Sequence, residues 1–305
     1  MVFPRLRKDQ YVSLVLLNLM LVLGGIRSQV SLAQIVTQEA AVELVETAPI
    51  PIRQTKAEEP LISAPAAIVI DLPSASILYD KHAHDYRHPA STAKLMTALV
   101  ARRSFSGDHT FTVKSEAYTN GTTVGFTPGM VISLEDTLKG LLIQSGNDAA
   151  FLLANNFSGG YSAFVQEMNQ TAQALHLGQT SYTNPSGLDE PNQVTTPFDL
   201  SVLTREVLKD EFLAATVATP SATIRDLSSG QRFQVYTTNR LLTPTSPYRG
   251  VKTGTTELAG EVLVSRYQAE ERDLLLIVMG SQDRYQDTQA LTEWVLSQYR
   301  WQSVD

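Results

Sequence analysis

The order in which hydrophobic periodicity changes along the chain is the strongest constraint on its fold. Two short apolar runs, 66–71 (AAIVID) and 76–79 (SILY), are separated by Pro73 and Ser74 and read as a β-hairpin. Helical spacing then takes over. A helix beginning near Pro89 carries Leu95, Met96, Leu99 and Val100 on one stripe, with Ala93 and Ala98 beside it. Ser133, with Asp136 three residues on, caps a helix from Leu134 to Ile143 whose apolar face is Leu134, Leu138, Leu141 and Leu142. Further helices start near Asp148, span roughly 161–175 and begin near Pro197. Strand patterns return at 261–267 and in the continuous apolar run 273–280 (DLLLIVMG), joined by the charged turn 269–272. A last helix carries Leu291, Trp294, Val295 and Tyr299. Strands at both ends with helices between them predict an α+β fold. Its antiparallel sheet is assembled from both ends of the chain and flanked by helices, with a helical lobe inserted.

The N-terminus has a different character. Arg5, Arg7 and Lys8 precede an apolar run from Tyr11 to Ile26, and Ser31–Ala33 then place small residues at the −3 and −1 positions of a cleavage site. This is the order of regions in a secretory signal. The run is short for a spanning helix, which needs about 20 apolar residues. Residues 1–33 are therefore expected to be a cleaved signal peptide, with an uncleaved N-terminal anchor as the alternative. A buried first helix fits less well, because Arg27 and the segment after it continue no amphipathic pattern. Either favoured reading exports the rest of the chain to the periplasm or cell envelope. Residues 34–60, where five glutamates mix with Pro49, Pro51 and Pro60, read as a flexible linker, leaving 61–305 as the folded domain.

Composition narrows the chemistry. At 43% hydrophobic and 18% charged, the 305 residues suit a globular protein with a real core. The net charge of −7 argues against nucleic acid as a partner. The absence of cysteine removes disulfides, thiolate catalysis and cysteine-ligated zinc.

Three short motifs carry the remaining chemistry. In Ser91-Thr92-Ala93-Lys94, positions i and i+3 share a helical face, so the lysine amine can reach the serine hydroxyl. A serine is a poor nucleophile until a base takes its proton, and a lysine serves only if burial or a neighbouring cation lowers its pKa. By itself the motif reads as well as a core-packed helix with an incidental serine. Ser145-Gly146-Asn147 lies between two predicted helices, where Asn147 or Asp148 could be an N-cap. Its functional reading gives Ser145 a proton relay and Asn147 a hydrogen bond to a substrate amide. Lys252-Thr253-Gly254 sits on or at the end of a strand; its glycine could simply mark a turn. Functionally, Lys252 supplies the second cation beside Lys94, and Thr253 a hydroxyl for a substrate carboxylate.

The combination, in this order, is the signature set of β-lactamases and penicillin-binding proteins. The chain resembles the serine D-alanyl-D-alanine carboxypeptidases, the low-molecular-mass penicillin-binding proteins, over about residues 61 to 300. The match extends to HPASTAKLMTALVA around Ser91, GLLIQSGNDAA around Ser145, TNPSGLD at 183–189 and GVKTGTTELAG at 250–260. The resemblance implies a penicillin-binding-protein-like fold and an exported hydrolase with peptidoglycan stem peptides and β-lactams as ligands. Ser91 becomes acylated, Lys94 is the general base, and Ser145 and Asn147 line one side of the cleft. Lys252, Thr253 and Gly254 form the edge strand under the substrate. The backbone N–H groups of Ser91 and Thr255 form the oxyanion hole. Arg284 stands where such enzymes often keep an arginine near the terminal carboxylate, though a solvated arginine at a helix start reads equally well.

Two departures shape the expectation. The chain ends about fifty residues after Lys252. The added β-rich domain and C-terminal amphipathic helix of many relatives therefore have no room, and membrane contact is expected only through the N-terminal segment. No E-x-x-L-N run follows Ser145-Gly146-Asn147, so efficient β-lactamase activity is not expected. His82, His84 and His88 would have metal-ligand geometry on a strand. Histidines in a loop ahead of a helix are more often polar surface, and neither a metal nor a cofactor is expected. The same chemistry also serves a D,D-endopeptidase that cuts peptide cross-links. A non-catalytic peptidoglycan-binding module would need a broken motif, and none of the motif residues is missing.

Overall fold

The computed structural model describes residues 49–55, 57–114 and 120–303. Residues 1–33, read from sequence as signal or anchor, lie outside the described residues, as does the first part of the expected linker. From the N-terminal side come Ile50–Arg53 (β1), Ala66–Asp71 (β2) and Ile77–Lys81 (β3). A 3-10 turn, Ala90–Ala93, leads into Lys94–Ser104 (α1). The lobe that follows holds a hairpin of Thr110–Thr112 (β4) and Val131–Ser133 (β5), then Leu134–Leu142 (α2), Asn147–Asn155 (α3), Gly160–Ala174 (α4), Pro197–Val207 (α5) and Glu211–Val217 (α6). A second hairpin pairs Ser221–Arg225 (β6) with Arg232–Tyr236 (β7). Tyr248–Thr256 (β8), Gly260–Ala269 (β9) and Arg272–Ser281 (β10) return to the sheet, before Arg284–Gln298 (α7) and Tyr299–Gln302 (β11).

The main sheet runs β3-β2-β10-β9-β8, every neighbouring pair antiparallel, so each end of the chain builds part of it. The unbroken apolar run of β10 has a direct cause: this central strand is covered on both faces. Leu275, Ile277 and Met279 pack with Ile68, Ile70, Val262 and Val264 toward the helical lobe. Leu274, Leu276 and Val278 pack with Ala67, Val69 and Leu263 against Leu291, Trp294 and Val295 of α7. A strand buried on both sides loses polar alternation. β9 and β10 are joined through Glu270 and Glu271, both left-handed at φ 50° and 63°, the geometry of a two-residue type I′ turn. Thr196 caps α5 by accepting Asp199 N, with Pro197 in its first turn.

Two local expectations are corrected. The sequence alone starts regular structure at Leu61, with 34–60 as linker. Ile50–Arg53 is instead a strand antiparallel to β11, from Ile50 opposite Gln302 to Arg53 opposite Tyr299. Beyond it, Gln54 N donates to Gln298 O at 2.8 Å and Trp294 Nε1 to Glu58 O at 2.8 Å. A four-residue strand is too short for periodicity to reveal, and its partner lies at the far end of the chain. The helix expected near Pro89 begins as α-helix only at Lys94, because the left-handed Ala90 (φ 48°) and the 3-10 turn intervene. His82 lies beyond β3 at φ 48°, in the loop ahead of the 3-10 turn, so the H-x-H pair does not share a strand face. The hairpins β4–β5 and β6–β7 and helix α6 carry too few buried positions to have been read from pattern.

Candidate active site

The position of Ser91, the candidate nucleophile, is set by the turn before α1. In a 3-10 turn residues i and i+3 eclipse, and Lys94 Nζ donates to Ser91 Oγ at 2.9 Å. The turn is pressed between two segments that only glycine permits. A Cβ on Gly254 would lie 2.8 Å from Ala90 Cβ and 2.9 Å from Ser91 N. A Cβ on Gly187, itself at φ +85°, would lie 1.7 Å from Ala90 O. Lys94 is fully buried, and its second hydrogen bond goes to Ser186 O at 2.7 Å. Its pKa is driven well below the usual lysine range, first by burial and then by the nearby charge of Lys252, with Asp148 opposing. That is the condition under which a lysine can act as a base toward a serine.

Ser186 belongs to the TNPSGLD segment, and its contact with Lys94 is a role the sequence did not assign. Asn184 Oδ1 accepts the N–H groups of Ser186, Gly187 and Leu188, folding the segment into a fixed turn. Pro185 O accepts Thr97 Oγ1 from α1 at 2.6 Å. The segment is the rear wall of the site.

Ser145 precedes α3 in a left-handed conformation, φ 66°, an unfavourable state for a residue with a Cβ and one met disproportionately at functional sites. Its Oγ accepts Lys252 Nζ at 2.8 Å. Lys252, on β8, is 1% exposed and also donates to Thr253 O at 3.0 Å. Burial first, and Arg284 second, lower its pKa from the ordinary 10.5 to about 7. Asn147 turns its side-chain N–H to Asn120 O at 2.7 Å, so this donor is committed to the protein. Thr253 Oγ1 shares a hydrogen bond of 2.5 Å with Thr238 Oγ1, a neighbour no sequence pattern signals.

Arg284 is not a solvated helix-start residue. Its side chain is 13% exposed and folded over the sheet edge. Nη1 donates to Gly254 O at 2.7 Å and Nη2 to Glu261 Oε1 at 3.1 Å. Ser91, Thr122, Ser145, Thr238, Thr253, Gly254, Thr255 and Arg284 line one cleft, with Lys94 and Lys252 buried beneath it. The three histidines go elsewhere: His82 lies 3.6 Å from Asp85, His84 packs on Phe198, and His88 Nδ1 bonds Gln193 O at 3.0 Å.

A five-stranded antiparallel sheet with a helical lobe and a Ser–Lys pair at their junction defines the penicillin-binding and DD-transpeptidase fold. The Streptomyces K15 DD-transpeptidase shares it with a TM-score of 0.74 at 24% identity, over 79% of this chain and 100% of that one. The chain belongs to the peptidase S11 family, D-alanyl-D-alanine carboxypeptidase, whose sequence profile matches residues 53–283. It is 32% identical over 254 residues to the D-alanyl-D-alanine carboxypeptidase DacD of Escherichia coli, covering 78% of this chain and 64% of that protein. It is 30% identical over 262 residues to the D-alanyl-D-alanine endopeptidase of Escherichia coli, covering 79% and 80%. The chain thus spans less than two thirds of the length of its carboxypeptidase relative.

Proposed function

We propose that this chain is a serine D-alanyl-D-alanine carboxypeptidase that removes the terminal D-Ala from peptidoglycan stem pentapeptides through an acyl-enzyme on Ser91. The observation that carries the reading is the 2.9 Å bond between Ser91 and a fully buried Lys94, with Lys252 as the second cation. Lys94 takes the hydroxyl proton as Ser91 Oγ adds to the carbonyl carbon between the two D-alanines. The N–H groups of Ser91 and Thr255 hold the oxyanion. As the C–N bond breaks, the departing amine gains a proton by way of Ser145, which Lys252 hydrogen-bonds. Thr253, Thr255 and Arg284 receive the substrate carboxylate, and Asn147 borders the peptide. Water then hydrolyses the ester. A β-lactam would acylate Ser91 by the same attack.

Export fits a peptidoglycan substrate and rests on residues 1–33 as signal or anchor; N-terminal sequencing of the mature protein decides between the two. A second reading, cross-link cleavage, has its own support in the similarity to the Escherichia coli endopeptidase. Both reactions break an amide on the carbonyl of a D-Ala, and only the leaving amine differs.

The test is labelling of the purified protein with a fluorescent penicillin, followed by mass spectrometry of the modified peptide. An adduct on Ser91 is expected, as is release of D-Ala from a pentapeptide faster than cleavage of a cross-linked dimer. Faster dimer cleavage would favour the endopeptidase, and a folded protein that takes no label would sink both readings.

A further inference from the structure

Asp148 follows the Ser145-Gly146-Asn147 tripeptide directly and is 4% exposed, yet the chemistry above leaves it unused. No lysine, arginine or histidine among the described residues pairs with it. Its oxygens instead accept backbone N–H groups: Val124 at 2.9 Å, Gly125 at 2.8 Å, Phe126 at 3.0 Å and its neighbour Ala149 at 3.0 Å. Taking a carboxylate out of water costs several kcal/mol unless hydrogen bonds offset it. Here they come almost entirely from one segment, 120–126.

That segment crosses the start of α3 and is seated at several points. Asn120 O accepts the Asn147 side chain, Thr122 O accepts Asn147 N at 2.7 Å, and Thr123 O accepts Gln144 Nε2 at 2.8 Å. Val124 fills a notch that two glycines leave open. A Cβ on Gly140 or Gly146 would lie 2.7 or 2.5 Å from Val124 Cγ2. Gly121, at φ +76°, passes so close to Asn147 that a Cβ would lie 2.7 Å from its Nδ2. Thr122, on the same segment, lines the cleft with Ser91 and Ser145.

We infer that Asp148 is a positioning residue: its carboxylate latches segment 120–126 against α3 and so holds Asn147 and Thr122 where the peptide attacked by Ser91 must lie. The inference rests on the acyl-enzyme reading. Asp148 has a second, electrostatic effect. The charged groups acting on Lys94 are Lys252 from β8, which disfavours its protonated form, and Asp148 from α3, which favours it; its hydrogen-bond partners Ser91 Oγ and Ser186 O are neutral. Removing the Asp148 charge makes Lys94 easier to deprotonate, while loosening the segment by other means does not.

The experiment compares the acylation rate of the full chain by a fluorescent penicillin, as a function of pH, for wild type, Asp148→Asn, Asp148→Glu and Val124→Ala. Loss of the latch in Asp148→Asn lowers the rate on the order of 10²-fold, the scale of a misplaced binding wall, and moves the acid limb of the profile to lower pH. Asp148→Glu and Val124→Ala keep the charge, so both lose rate with the acid limb in place. A wild-type rate and profile in folded Asp148→Asn overturns the inference. Should circular dichroism show Asp148→Asn unfolded, wild-type rates in both other variants overturn it instead. A wild type that takes no label removes the acyl-enzyme reading and this inference together; a labelled wild type with unaffected variants removes this inference alone.

Discussion

Lys94 Nζ lies 2.9 Å from Ser91 Oγ and 2.7 Å from Ser186 O, so the amine is held between the hydroxyl of the proposed nucleophile and a backbone carbonyl. The lysine is buried and the serine borders the cleft. Ser91→Ala is therefore expected to keep its melting temperature and lose all penicillin labelling. Lys94→Ala should fold and acylate about 10²–10⁴-fold more slowly, the range of a lost general base. Stopped-flow acylation with a melting curve on each variant checks both; a fast Lys94→Ala enzyme would mean that another base acts.

Lys252 offers a test by linkage. A lysine whose pKa is lowered on folding, here from 10.5 to about 7, holds its proton less well folded than unfolded. Its destabilising contribution is full below about pH 7 and fades as pH rises toward 10.5, where the unfolded chain loses the proton too. The melting temperature of wild type relative to Lys252→Met should therefore shift in favour of wild type across that window. A pH-independent difference would show that Lys252 is not perturbed. Losing its charge also lets Lys94 hold its proton more tightly, so the acid limb of acylation in Lys252→Met moves to higher pH.

Gly254→Ala and Gly187→Ala push on the nucleophile turn from opposite segments. Gly254→Ala brings a methyl to 2.9 Å from Ser91 N, so acylation should fall while most stability remains. Gly187→Ala meets the backbone oxygen of Ala90 at 1.7 Å from a left-handed position, and should cost stability as well, about 1–3 kcal/mol or more. Chemical denaturation and acylation rates on both variants separate the two effects. Equal stability loss in both would contradict the difference in their contacts.

Strand β1 predicts the cost of trimming. A chain beginning at Leu61 lacks the β1–β11 pairing and the bond from Trp294 to Glu58, whereas one beginning at Pro49 keeps both. The shorter chain should melt several degrees lower, since about 1 kcal/mol corresponds to roughly 2–4 °C in a domain of this size. Identical melting curves would mean that the pairing adds nothing to stability.

The legible parts of the fold were those with long periodic patterns. α2 announced itself by its cap and apolar stripe, α5 by the proline at its start, and β10 by a run that only a strand covered on both faces tolerates. β1, β6 and β7 were invisible because a four- or five-residue strand with one buried position, or none, leaves no pattern. At the site, the motif residues were legible because the reaction restricts residue type at close spacing. Ser186 contributes only a backbone carbonyl, which carries no side-chain signature. Thr238 contacts Thr253 from a distant loop.

From the sequence alone came the sheet built from both ends of the chain, the helical lobe between, and the serine, lysines and asparagine that the proposed chemistry uses. These are matters of residue type and local period. The tertiary structure decided what depends on approach across the fold. It showed that Lys94 and Lys252 are both buried, that Arg284 lies over the sheet edge, that two glycines let β8 and the 184–189 turn close on Ser91, and that the Asp148 carboxylate accepts the backbone N–H groups of Val124, Gly125 and Phe126. Burial and proximity set a lysine's charge and a side chain's aim, and both arise only when segments far apart in the chain come together.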